Sequence, residues 1–361
     1  MGDPPPDADR AVLASLPKID LHRHLEGSLR LSTLREIALQ YDLNLPAETP
    51  DALRPYVQIV LKEEHTFRRF LHKFDVLRRF YRSPEIIRRV AFEAVEDAAR
   101  DNVRYLELRF TPPALAKSQG YPLDEVADWV LAAVEQACQA YPAIRVRLIV
   151  TLNRHESVRL AEQVTQIAID RLARGIVGLD LAGDEVNFPT APFRGVFQAA
   201  GQGGLGLVAH AGEWTTAGAV REAIEDLGVQ RVGHGVRVVD DPRVAALARE
   251  RGVVFEVCIT SNLQSGVVEQ VADHPWRAMT ALQLLTTLNT DDPAVSGISL
   301  SDEYVKVVDD LGFTPLEIKR AILTAAGSIL APAAERARLV AEFQQALSAD
   351  NAASLPAAAS A

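Results

Sequence analysis

Eight short runs of β-branched and aliphatic residues, alternating with stretches of helical periodicity, constrain this chain more than any other feature. The runs cover residues 18–22, 103–110, 145–152, 176–182, 207–210, 231–234, 253–257 and 284–289. Helical patterns over 84–102, 124–140, 158–174, 217–227 and 242–251 fill most of the gaps. Strands that alternate with helices predict a parallel sheet, and eight of them predict an α/β fold closed as a TIM-type (β/α)8 barrel. Residues 29–84 hold no such run and read as a helical insertion after the first strand, able to lie over the barrel mouth as a lid. The 361 residues then form a single domain, with flexible tails expected over 1–10 and 350–361.

In a barrel of this kind chemistry sits where strands end. His22, His210, His234 and Asn289 each close one of the runs, and Asp291 follows two residues after the last. His22 and His24 stand two apart, so in extended backbone both imidazoles point to one side. Glu213 follows His210 across the small pair Ala211-Gly212, His234 lies between two glycines, and Asp291-Asp292 precede Pro293. Each stretch has a plainer reading: solvent histidines, an acid at a helix N-terminus, a core histidine, a turn before proline. Taken together they offer three neutral imidazoles and a carboxylate for a metal ion, with an acid and a base to spare. Nitrogen and oxygen donors without thiolate suit Zn²⁺, with Fe²⁺, Co²⁺ and Mn²⁺ also compatible. The fourth run contains no lysine that could bridge two metals as a carbamate, so one ion is expected.

Composition narrows the partner. A formal charge of −10 argues against a nucleic-acid polymer, which needs a basic face, and leaves a small neutral ligand open. Two cysteines, Cys138 and Cys258, make neither a disulfide framework nor a thiolate metal cluster, and suit a reducing compartment. The first residues lack the basic and apolar regions of a signal peptide, and no run of about 18 apolar residues could span a bilayer. A cytoplasmic protein without membrane contact is expected. Oligomeric state leaves no mark in the sequence.

The stretches Pro17–Gly27, Gly178–Glu185, His210–Glu213 and Arg231–Gly235 resemble the adenosine deaminase family of metal-dependent amidohydrolases. Glu256-Val257-Cys258, Thr260-Ser261-Asn262 and Leu288–Pro293 complete the match in family order, over roughly residues 15–310. The resemblance implies one zinc ion held by His22, His24, His210 and Asp291, and hydrolysis of adenosine, with 2′-deoxyadenosine, to inosine and ammonia in purine salvage. Glu213 would donate a proton to purine N1, and His234 would orient and deprotonate the attacking water. Asp292 would meet N7 and the Gly183 backbone N3. Phe67, Phe70, Leu71 and Phe74 would form an apolar gate, although their spacing equally fits an ordinary amphipathic helix. Glu26 departs from the family's usual Asp at the sugar-binding position. Adenine deaminases often carry Glu there, so adenine is the alternative substrate, with N6-methyl-AMP and 6-aminodeoxyfutalosine as further N6-amino purines. A cytidine-type deaminase is excluded, since the H-x-E of His24-Leu25-Glu26 has no P-C-x-x-C partner.

Overall fold

Every strand run becomes a strand, and all pair in parallel in chain order. The computed structural model describes residues 7–60 and 63–353. The strands are β1 (Lys18–His24), β2 (Val103–Phe110), β3 (Arg145–Asn153), β4 (Ile176–Ala182), β5 (Gly206–Ala211), β6 (Arg231–His234), β7 (Val254–Val257) and β8 (Leu285–Leu288). The circle closes where Arg23 bridges Asp291, with His24 N–H donating to Asp291 O and Asp291 N–H to His22 O, each at 2.8 Å. The architecture is thus a TIM-type (β/α)8 barrel.

Strand ends differ from expectation at the two ends that carry most of the polar residues. β1 runs two residues past His22, and the ladder continues through a buried His22 to a half-buried His24 at the strand's end. β8 stops at Leu288, so Asn289 lies beyond it; the backbone then turns, with Asp291 at φ +61°. Of the expected tails, residues 7–10 start the helix Asp7–Ser15 and residues 350–353 end the helix Ala333–Ala353. Residues 1–6 and 354–361 lie outside the described residues.

Among the described residues between β1 and the barrel helix Pro84–Arg100 lie three α-helices, Leu31–Gln40, Pro50–Val57 and Phe67–Leu77, the last followed by a 3-10 turn at Arg78–Phe80. Thr66 starts the last of these by accepting from the Arg69 amide, and Ser83 caps Pro84–Arg100 through the Ile86 amide. Phe70 on the Phe67–Leu77 helix is buried, while Arg68 and Arg69 face outward, so this segment packs one face against the barrel mouth. No described helix is long and apolar enough to cross a membrane.

The barrel interior below the mouth is ionic. Arg109 of β2 reaches Glu256 at 2.8 Å and Asp180 at 3.3 Å, and Arg231 of β6 holds the other Glu256 oxygen at 2.6 Å. Arg231 also pairs with Glu107, whose second oxygen accepts from the Leu330 amide at 2.7 Å. These side chains are buried, and each charge has a partner of opposite sign, the condition under which buried ions are tolerated.

Candidate active site

At the C-terminal ends of the strands four histidine rings crowd together. His22 lies 4.6 Å from His210, 4.9 Å from His234 and 5.2 Å from His24, centroid to centroid. Gly233 makes this packing possible: a Cβ there would fall 2.9 Å from His22 Cε1 and 3.2 Å from His210 Cγ. His234 and Asp291 both sit at positive φ, +57° and +61°, a conformation that costs non-glycine residues energy and collects at functional sites.

Second-layer carboxylates aim two of the rings. His22 Nδ1 meets Glu256 Oε2 at 2.8 Å and His210 Nδ1 meets Asp180 Oδ1 at 3.1 Å. Carboxylates only accept, so the proton of each ring sits on Nδ1 and a bare Nε2 points inward. His22 Nε2 is buried without a hydrogen-bond partner among the described residues. Asp291 Oδ1 lies 3.2 Å from His22 Nε2 and 3.3 Å from His24 Nε2, and His24 Nε2 lies 3.3 Å from His210 Nε2. A tetrahedral ion with bonds of about 2.0–2.1 Å needs ligand atoms roughly 3.3 Å apart. The three separations, His22 to Asp291, His24 to Asp291 and His24 to His210, are of the size a zinc-sized cation needs. Two groupings have ligand atoms all within 4.8 Å of one another: His22, His210, His234 and Asp291, and His24, His210 and Asp180. The His234 Nε2 lies 3.7 Å from the other Asp291 oxygen, Oδ2, and 3.6 Å from Glu213 Oε2. Ser261 Oγ donates to Asp291 Oδ2 at 2.6 Å.

Burial shifts three acids of the site, Glu213, Asp292 and Glu26, toward the neutral form. Burial, reinforced by Asp291 and Glu185, raises the Glu213 carboxyl well above the usual range, and burial beside Asp291 does the same for Asp292. Burial also pushes Glu26 up to about 7. Its Oε1 accepts from the Thr111 amide at 2.7 Å, while Oε2 has no partner among the described residues. Asp292 Oδ1 is likewise unpartnered, and the side chain leans over Gly27, where a Cβ would fall 1.8 Å from that oxygen. Burial drives His234 well below its ordinary range, so that ring is neutral.

These groups line one cavity of about 450 Å³. Its walls include His24, Glu26, Gly183, His210, Glu213, His234, Asp291 and Asp292, and Phe67, Phe70, Leu71 and Phe74 roof it. His22 is buried behind it. Every residue singled out from sequence thus converges on this space or its floor. The sequence reading gave no role to Arg154, whose guanidinium donates to His210 O at 2.6 Å, or to Trp214, whose ring meets Phe67 at 5.4 Å. It also gave none to Glu185, which accepts from the amides of Gly212, Trp214 and Thr215. Glu185 was visible only as the end of a matching stretch.

Comparison with known proteins identifies the family. The adenosine deaminase family model matches residues 17–346. Adenosine deaminase of Klebsiella pneumoniae is 38% identical over 309 residues, covering 85% of this chain and 92% of that protein. Among solved structures, an amidohydrolase of Burkholderia ambifaria with bound zinc superposes with a TM-score of 0.86 at 28% identity, over 98% of this chain and 97% of its own. Adenine deaminase of Arthrobacter aurescens gives 0.82 at 28% identity, over 92% and 99%. Matched by that family's model over residues 17–346, and 38% identical to an adenosine deaminase over 85% of its length, the chain belongs to the adenosine deaminase family.

Proposed function

We propose that this chain hydrolyses adenosine to inosine and ammonia, and 2′-deoxyadenosine to 2′-deoxyinosine and ammonia, with one zinc ion held by His22, His24, His210 and Asp291. The ligand-atom spacings of 3.2–3.3 Å carry this reading, since bare imidazole nitrogens and a carboxylate oxygen at tetrahedral separation call for a cation. When bound, such an ion acts as a Lewis acid that brings the pKa of water from about 15.7 toward about 7.

The chain's own residues do the rest. Glu213, kept protonated by burial, gives its proton to purine N1 and so weakens the ring's resistance to addition at C6. Ser265 donates to Glu213 Oε1 at 3.4 Å, leaving Oε2 turned toward His234. His234 and Asp291 face the attacking water. Asp292, also neutral, donates to N7, and the Gly183 amide serves N3. The phenyl rings of Phe67, Phe70 and Phe74, with Leu71, exclude bulk water, which strengthens every polar contact inside.

Glu26 favours a second reading, adenine as substrate. It is one methylene longer than the family's usual Asp, and the adenine deaminase of Arthrobacter aurescens shares this fold over nearly its full length. Comparison of kcat/KM for adenosine, 2′-deoxyadenosine, adenine and 5′-AMP, followed by ultraviolet absorbance, decides. A preference for adenosine is the expected result; a preference for the free base transfers the reaction to adenine.

A further inference from the structure

His234 is connected to a backbone amide by two buried side chains that have no part in the roles above. Trp276 N–H donates to His274 Nδ1 at 3.1 Å. A peptide N–H can only donate, so Nδ1 of His274 is bare and the neutral ring carries its hydrogen on Nε2. Burial lowers His274 to about 3, in keeping with a neutral ring. His274 Nε2 lies 3.1 Å from Asn262 Oδ1, which orients the amide, and Asn262 Nδ2 then lies 3.1 Å from His234 Nδ1. The amide nitrogen can only donate, so His234 Nδ1 accepts and the ring's hydrogen is on Nε2. Asn262, His274 and His234 are at most 3% exposed, so water has little room to break the chain.

The centre therefore holds two kinds of imidazole. His22 and His210, backed by carboxylates, present bare nitrogens; His234, backed by an amide, presents an N–H. Resting on the deaminase reading, we propose that Asn262 and His274 are positioning residues that fix His234 as an Nε2–H donor. It then holds the attacking oxygen by donating a hydrogen bond, and neither ligates the cation nor takes up that oxygen's proton. The proton then goes to a carboxylate oxygen beside it, Asp291 Oδ2, which lies 3.7 Å from His234 Nε2 and already accepts from Ser261 Oγ.

The test reads the tautomer directly, in protein labelled with ¹⁵N-histidine and without substrate, with His234 assigned by the signals lost in His234→Gln. Wild type is expected to show His234 protonated at Nε2 and bare at Nδ1. Asn262→Asp replaces the donor with an acceptor, so the pattern inverts. Its kcat falls about 10²-fold, the scale of losing one preorganised hydrogen-bond donor, while KM and metal content stay near wild type. His274→Gln can still donate to Asn262 and keeps the wild-type pattern; His274→Leu cannot, and gives mixed tautomers with a lower kcat. A bare Nε2 on His234 in wild type overturns the proposal, as does an inverted tautomer in Asn262→Asp with undiminished kcat. Should Asn262→Asp fail to fold, the wild-type spectrum and the two His274 variants decide. Because the spectrum needs no turnover, failure of the deaminase reading itself would appear separately, as inactivity on purines with the tautomer intact.

Discussion

Glu213 is a carboxyl group placed among other acids, with burial and the neighbouring Asp291 and Glu185 all favouring its protonated form. Glu213→Gln keeps size and burial but removes the transferable proton. It should retain fold and metal while kcat falls by about 10²–10⁴, the usual worth of a positioned acid; turnover near wild type would release Glu213 from the role. Gly233 tests the packing of the rings. A methyl group there would press on His22 and His210 at 2.9 and 3.2 Å, and rings locked by carboxylates have little room to move. Gly233→Ala should cost about 1–3 kcal/mol, in the range of overpacked cores, and weaken metal retention, measured by denaturant unfolding and metal analysis. Both residues are readable in the sequence because each stands close to a histidine that closes a strand run, Glu213 after His210 and Gly233 before His234. His274 is not: it lies in a loop segment of ordinary composition, and its contact with Asn262 depends on the fold alone.

Among the elements, strands were more legible than the segments that close them. The runs at 103–110, 176–182 and 231–234 match β2, β4 and β6 to the residue. β1 was cut short because His-Arg-His looks like a loop unless the interior is polar. The C-terminal helices Leu300–Leu311, Pro315–Gly327 and Ala333–Ala353 were not read from sequence. The signals were local: capping boxes at Ser299/Asp302 and Thr314/Glu317 start the first two. The helix Leu300–Leu311 also supplies Glu303, whose carboxylate accepts from the amides of Ile259 and Thr260 just beyond β7. Burial raises Glu303 to about 7 from 4.5. An acid whose folded pKa exceeds its unfolded one stabilises below the unfolded value, and that contribution is lost as pH rises through the folded value. Stability should therefore decline between about pH 4.5 and 7 by up to about 3 kcal/mol from this group. Glu303→Gln should flatten that part of a thermal-melting profile; an unchanged slope would place the effect elsewhere.

For the molecule as a whole, the polar floor joins the barrel to its chemistry. Glu256 receives His22 and Arg109 on one oxygen and Arg231 on the other, so one side chain both aims a ligand ring and neutralises two buried cations. From sequence, Glu107 and Arg109 alternate with Leu106, Leu108 and Phe110 as a solvent-exposed strand face would, and only closure of the sheet turns them inward. Glu256→Gln should cost about 3–5 kcal/mol, as expected when a buried ion network loses its centre, and loosen the metal at the same time. The claim on which the account rests is that His24, and not His234, completes the cation's imidazole set. X-ray absorption at the zinc edge on purified protein tests it most directly. Three imidazoles per zinc at about 2.0 Å are expected, falling to two in His24→Ala and staying at three in His234→Ala. Loss of an imidazole in His234→Ala, with the full set kept in His24→Ala, would contradict it.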